Sequence, residues 1–202
     1  MKQLLCIFLI LLLLTGCAPA QKTPATPEPE APQVTDTPTQ PEADQPEPEE
    51  QSLYLGVFEA QTLTGETVTE TIFADADLTV INVWATFCSP CKEEMPVLAQ
   101  LDRELENVQL LGIVTDVIDQ TGTPDDAQVE LALELADLAD CGYPNLILNE
   151  SLAMLGFAGL SAVPATLFVD REGNLVGQGF YGALNEEGWR STIAERLELA
   201  LS

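Results

Sequence analysis

Cys88 and Cys91 stand three residues apart in Trp84-Ala85-Thr86-Phe87-Cys88-Ser89-Pro90-Cys91. Two thiols at that spacing can exchange a pair of electrons by making and breaking one S–S bond. The apolar, β-branched run Leu78–Val83 precedes them, and Lys92–Glu104 reads as helix. The pair therefore sits where a strand turns into a helix. The first sulfur meets the orphan N–H groups and positive dipole end of that helix, which favour a thiolate. The second lies nearly one turn further on, within disulfide reach of the first.

Other uses of paired cysteines fit less well. Structural zinc usually takes four Cys or His ligands. This chain has no histidine and no second Cys-x-x-Cys; Cys141 alone could add a third ligand. Haem attachment needs a histidine after the second cysteine, where Lys92 stands. The lack of histidine also removes Ser-His and Cys-His nucleophile pairs. No metal and no cofactor are expected.

The elements that must hold the pair belong to the last three-quarters of the chain. Lys2 followed by the apolar run Leu4–Leu14 reads as an export signal, too short for a typical spanning helix. Leu14-Thr15-Gly16-Cys17 resembles the bacterial lipobox, which makes residues 1–16 a lipoprotein signal peptide and Cys17 the lipidation site. Residues 17–52 read as an acidic, proline-rich tether. From Ala18 to Ser52 it holds nine of the fourteen prolines and eight acidic residues against one lysine. With so little apolar surface to bury it cannot offset its ordering entropy.

Residues 53–202 are then one domain, with five basic against twenty-five acidic residues, net −20. Such a surface repels nucleic acid and anionic headgroups. Within it, Val57–Ala60 and Thr67–Thr69 predict a hairpin, and Leu78–Val83 and Val108–Val114 predict buried strands. Met95, Leu98, Leu101 and Leu105 mark the inner face of the helix after Cys91, with Pro96 expected to kink it. Thr123-Pro124-Asp125-Asp126 predicts a helix start capped by the Thr123 hydroxyl, running to about Asp140. An extended segment Pro144–Leu148, a short helix Ser151–Phe157 and a strand Ala165–Val169 follow. Leu175–Gln178 is expected to pair back on that strand. A final helix opens at Asn185 or Glu186, with Trp189, Ile193 and Leu197 on one face. Strands alternating with helices predict an α/β fold.

Cys88-Ser89-Pro90-Cys91 after a buried strand, with Ser161-Ala162-Val163-Pro164-Ala165-Thr166 opening a later one, resembles thioredoxin. More narrowly, the domain is similar to the extracytoplasmic TlpA/ResA-like branch. Val80–Phe87 resembles its "VNFWATWC" approach, with Phe87 in place of tryptophan. Lys92-Glu93-Glu94-Met95-Pro96 and Thr166–Gly173 resemble two further motifs of that branch. The resemblance implies a thioredoxin fold: a central mixed sheet flanked by helices, here with an N-terminal hairpin extension. It implies that Cys88 is an exposed attacking nucleophile, that Cys91 resolves the mixed disulfide, and that the two form a disulfide in the oxidised state. Glu94, three residues beyond Cys91, would transfer the resolving proton. Pro164 would be cis and would aim Val163 at substrate; Trp84 is grouped with them, packing beside the redox pair. Thioredoxins proper carry a buried aspartate six residues before the first cysteine; Asn82 stands here.

The implied activity is thiol–disulfide exchange outside the cytoplasm by a lipid-anchored, monomeric oxidoreductase. Its partners would be exported disulfide proteins, such as apocytochrome c, exported reductases or spore-envelope proteins, and a membrane thiol electron donor. A thiol peroxidase is a second reading, though the Pro-x-x-x-Thr-x-x-Cys signature is absent. A non-catalytic binding or scaffold lipoprotein is a third. Cys141 is expected to be a free, mainly structural thiol.

Overall fold

Every residue of Leu78–Trp84 is buried in the computed structural model, which describes residues 53–202. The expected signal peptide, tether and lipidation site Cys17 lie outside the described residues. This strand, β3, is the middle of a five-stranded sheet. It runs parallel to β4 (Val108–Val114) and antiparallel to β6 (Ala165–Asp170). With β5 (Asn145–Ile147) and β7 (Phe180–Tyr181) the order is β5-β4-β3-β6-β7. A central strand has neighbours on both edges and cover on both faces, which explains its continuous apolar run. A separate hairpin pairs β1 (Glu59–Gln61) with β2 (Thr67–Thr69). The architecture is a mixed sheet between helical layers, with the hairpin added at the N-terminal side.

Alternation along β3 sorts the core. Ile81 and Val83 face one side, where Phe58, Ala60, Phe73, Leu152 and Phe157 pack from the hairpin and the short helix α3 (Glu150–Met154). Leu78 and Val80 face the other, against Leu98 and Leu101 of α1 (Ser89–Glu104) and Trp189 and Ile193 of α4 (Glu186–Ala200). Trp84 continues that second face toward Cys88, Cys91 and Ala132 of α2 (Asp126–Leu138). Among the described residues no helix is long and apolar enough to cross a membrane.

The helix after Cys91 begins earlier than expected, at Ser89, and continues through Pro96 to Glu104. The Thr123 cap is not formed. Asp125 caps α2 instead, accepting from Ala127 N and Gln128 N at 3.0 and 3.2 Å. Asp119 draws Thr123 into a tight turn by accepting from its backbone N–H at 3.0 Å, so the helix starts after that turn. The return strand is also cut short. Leu175 bridges Val169 and Val176 N–H donates to Phe168 O at 2.9 Å, so the expected pairing starts but stops short of Gln178, and regular pairing resumes at Phe180–Tyr181. Gly177 lies between the two stretches at φ +63, where the chain leaves the ladder.

At the N-terminal edge of the described residues the backbone is fastened to the turn after β6. Leu55 N–H donates to Gly173 O and Leu175 N–H to Leu53 O, both at 2.8 Å.

One close approach locks β3 to its neighbours near the cysteines. The Trp84 indole Nε1–H donates to Asn145 Oδ1 at 2.9 Å over Gly112. A Cβ on Gly112 would lie 2.0 Å from that oxygen. Gly112→Ala should therefore lower the unfolding free energy by about 2–4 kcal/mol through overpacking and a lost buried hydrogen bond. Urea titration followed by tryptophan fluorescence checks this.

Candidate active site

Helix α1 has no free N-terminus: Cys88 occupies the cap. Its Sγ accepts from Cys91 N–H at 3.2 Å, and the two sulfurs form a disulfide. Proline at the second helical position needs no hydrogen-bond donor there, so Ser89-Pro90 opens the turn without loss. The family resemblance implied an exposed Cys88. It is only 5% exposed, because Ala85 and Val163 pack in the same apolar cluster, while Cys91 is wholly enclosed. Cys88 remains the more accessible of the two. Phe87, immediately before it, is 74% exposed.

The loop carrying Phe87 and Cys88 is clamped at Thr86. The carboxylate of Asp116 accepts from Thr86 N–H at 3.0 Å and from its hydroxyl at 2.6 Å. Lys92 Nζ donates to Thr86 O at 3.2 Å. Asp116 follows the end of β4, which runs parallel beside β3, so the topology brings both strand ends to one edge. Neither Asp116 nor this use of Lys92 was anticipated. The available signal was that polar residues just past the C-terminal ends of parallel strands converge.

The Val163–Pro164 peptide is cis and leads directly into β6. Gly182 N–H donates to Pro164 O at 2.8 Å, fixing the turn from the β7 side. Val163 is half-buried and packs in the cluster that holds the disulfide. Trp84, grouped with these residues as substrate-binding, is fully buried and committed to Asn145. It supports the disulfide from behind and offers no surface to a substrate.

Glu94 is an acid in the core, 2% exposed on the buried face of α1 that also carries Cys91 and Met95. Asn82 Nδ2–H donates to its Oε1 at 3.0 Å, and Leu184 N–H donates to its Oε2 at 3.2 Å. Loss of water raises its pKa to about 7 against these two donors, which act in the opposite direction. The Trp189 indole adds weakly to the lowering although its N–H meets no acceptor in hydrogen-bond geometry. Asn82 was noted from sequence only as a non-titrating replacement; the structure makes it the direct partner of Glu94.

Cys141 is a free thiol, partly buried where two apolar clusters meet. Its S–H donates to the Tyr143 hydroxyl at 3.4 Å, and burial pushes its pKa up. A protonated, half-buried thiol is a poor nucleophile.

A mixed sheet with a Cys-x-x-Cys disulfide capping a helix, opposite a cis-proline, defines a thioredoxin-fold protein with a redox-type dithiol site. Residues 56–178 match the AhpC/TSA family, and the chain belongs to it. It is 27% identical over 139 residues to the thiol:disulfide interchange protein DsbE of Haemophilus influenzae, covering 68% of this chain and 66% of that protein. It is 31% identical over 114 residues to the thiol:disulfide interchange protein HelX of Rhodobacter capsulatus, covering 53% and 57%. The chain thus spans somewhat under two thirds of these relatives' lengths. Among solved structures, a thioredoxin-family thiol:disulfide interchange protein from Chlorobium tepidum TLS superposes with TM-score 0.61. It shares 17% identity, over 74% of this chain and 99% of that one.

A carboxyl raised from 4.5 to about 7 keeps its proton in the folded protein where the unfolded chain has lost it. Its favourable contribution is complete below pH 4.5 and is lost as pH rises through 7, amounting to about 3 kcal/mol at 1.4 kcal/mol per unit. Urea unfolding of wild type and Glu94→Gln between pH 4 and 8 should show a stability difference that moves against wild type across that window. A difference that stays flat would mean that Glu94 titrates like an exposed acid.

Proposed function

We propose that this protein is a lipid-anchored, extracytoplasmic thiol–disulfide oxidoreductase that reduces disulfides in exported proteins. The observation that carries the reading is the Cys88–Cys91 disulfide at the head of α1, with the more accessible sulfur at the cap and a buried carboxyl one turn below the other. The interchange activity named for its relatives supports it. In the reduced protein the helix N-terminus favours the Cys88 thiolate. That thiolate attacks one sulfur of a client disulfide, forms a mixed disulfide and expels the client's other sulfur as a thiolate. Cys91 gives its proton to Glu94 and attacks Cys88 Sγ. The client leaves with both sulfurs as thiols after protonation, and the Cys88–Cys91 bond closes. Two electrons have passed to the client, and a membrane thiol donor restores the dithiol.

Val163 and Pro164 border the disulfide on the side where a client segment would lie as an added strand. Lipidation at Cys17 would keep the monomeric domain at the outer face of a membrane, among exported clients such as apocytochrome c or exported reductases. A peroxidase would need a hydroxyl and a free thiolate poised for peroxide. Thr86, the nearest candidate, donates its hydroxyl to Asp116.

Insulin reduction by the purified protein should fall to the uncatalysed rate in Cys88→Ala. Cys91→Ala expressed in cells should accumulate mixed disulfides with exported proteins, resolved by diagonal electrophoresis. Equilibration against glutathione should place the couple well below the roughly −120 mV of strong oxidases. Wild-type activity that survives Cys88→Ala, or peroxide consumption with no separate peroxidase, would overturn the assignment.

A further inference from the structure

Glu94 presents a problem that its two donors do not solve. An ionised carboxylate only accepts hydrogen bonds, and both Asn82 Nδ2–H and Leu184 N–H suit it. Once protonated, the same group carries an O–H that needs an acceptor, and a fixed N–H opposite it becomes a repulsive neighbour. In a site this dry, water cannot make up the difference.

The surroundings contain an acceptor and an adaptable partner. Asn82 Oδ1 and Thr166 Oγ1 are buried, and neither is hydrogen-bonded to any other group among the described residues. Asn82 and Thr166 are direct register partners of the antiparallel β3–β6 pair, so their side chains leave the sheet on the same face. That is the face on which α1 and α4 pack. An amide has its donor and acceptor on opposite sides of one bond, and rotation about χ2 exchanges them. A hydroxyl can give or take a hydrogen bond by turning its O–H. Neither group carries charge.

We propose that Asn82 is a reversible positioning residue: its amide donates to the ionised Glu94 carboxylate and turns over to accept from the neutral acid, and the side chain of Thr166 rotates to bring its hydroxyl to the outward end of the turned amide. In the ionised state, the arrangement of the structure, Glu94 Oε1 accepts from Asn82 Nδ2–H while Asn82 Oδ1 and Thr166 Oγ1 stand without partners. In the neutral state Glu94 Oε1–H donates to Asn82 Oδ1, and Asn82 Nδ2–H donates to Thr166 Oγ1. Leu184 N–H stays on Oε2 throughout. No covalent bond changes other than the O–H of the acid itself. The titratable groups near Glu94 are Cys91 on its own helix, locked in the disulfide when oxidised, and Tyr143 from the segment before β5, near enough to feel its charge. From β3, β6 and α4 the facing groups are the uncharged, non-titrating Asn82, Thr166 and Trp189. The functional value of the device rests on Glu94 carrying the resolving proton, because only then must the site hold both protonation states; the hydrogen bond to the charged form is the stronger of the two, so loss of Asn82 still favours the neutral acid.

The test uses the oxidised full chain in detergent micelles, so it does not depend on redox turnover. The Glu94 carboxyl is titrated by ¹³C NMR, and NOEs from the Asn82 side-chain N–H₂ pair are recorded on either side of its midpoint. Above the midpoint these protons should lie close to the Glu94 γ-methylene; below it they should shift to the Thr166 γ-methyl. Asn82→Leu should raise the Glu94 midpoint by at least about one pH unit, since the carboxylate loses a buried donor. Asn82→Asp should convert one titration step into two, as a close carboxyl pair sharing one proton does. An NOE pattern that is the same above and below the midpoint overturns the proposal on wild type alone, whatever the variants do. An Asn82→Leu midpoint unchanged from wild type also overturns it. An amide that turns over in a protein that never reduces insulin would leave this inference standing and remove the oxidoreductase reading.

Discussion

A carboxylic acid with almost no contact with water is the constraint around which the rest of the site is arranged. Glu94 is held in the core by α1, which also carries the two sulfurs, and by donors from β3 and from the segment before α4. An acid so placed cannot hold a charge cheaply at neutral pH. It sits near the balance between its two forms, and the apolar packing of Leu98, Trp189 and Phe168 around this face keeps it there by excluding solvent. The hydrophobic core therefore sets the acidity of this carboxyl. It fixes the environment that decides where the proton resides.

The second organising feature is the shared edge where β3 and β4 end. Parallel strands deliver their C-terminal residues side by side. The chain after β3 becomes the Cys88 loop, and the chain after β4 supplies Asp116 to hold it. Thr86 is the junction, with its N–H and hydroxyl given to Asp116 and its carbonyl taken by Lys92. Phe87 can therefore project into solvent beside Cys88 while the backbone on either side stays fixed. On the opposite side of the disulfide the cis Val163–Pro164 turn is held by Gly182. The sulfur pair lies between two braced turns.

Much of this was legible in the residues, and the exceptions have physical causes. The buried strands announced themselves because a strand covered on both faces has no polar alternation to lose, as in Leu78–Trp84. The redox pair was readable because its chemistry needs a short fixed spacing in one segment. The start of α2 was misread because Thr123-Pro124 has good capping chemistry that Asp119 diverts into a turn. The return strand was expected to run on to Gln178, but after Val176 Gly177 takes the chain out of the ladder until Phe180. Asp116 was readable only as a polar residue past a strand end, and Asn145 and the pairing of Asn82 with Glu94 not at all. Each depends on two segments more than ten residues apart meeting through the sheet, which no local pattern encodes. Trp84, grouped with the substrate-side residues and read as packing beside the redox pair, lies fully buried in the apolar cluster that holds both sulfurs.

The seam between Leu53–Leu55 and Gly173–Leu175 has a mechanical meaning. In the β3–β6 register, Leu78 faces Asp170 and Val83 faces Ala165, so that seam closes the pole of the sheet farthest from Cys88. Any load transmitted through the residues preceding Leu53 enters the domain there, roughly 20 Å of strand away from the sulfurs at about 3.3 Å per residue. The first described residues and the disulfide lie at opposite poles of the sheet. A tug at one is absorbed by two short backbone hydrogen bonds before it can disturb the geometry at the other.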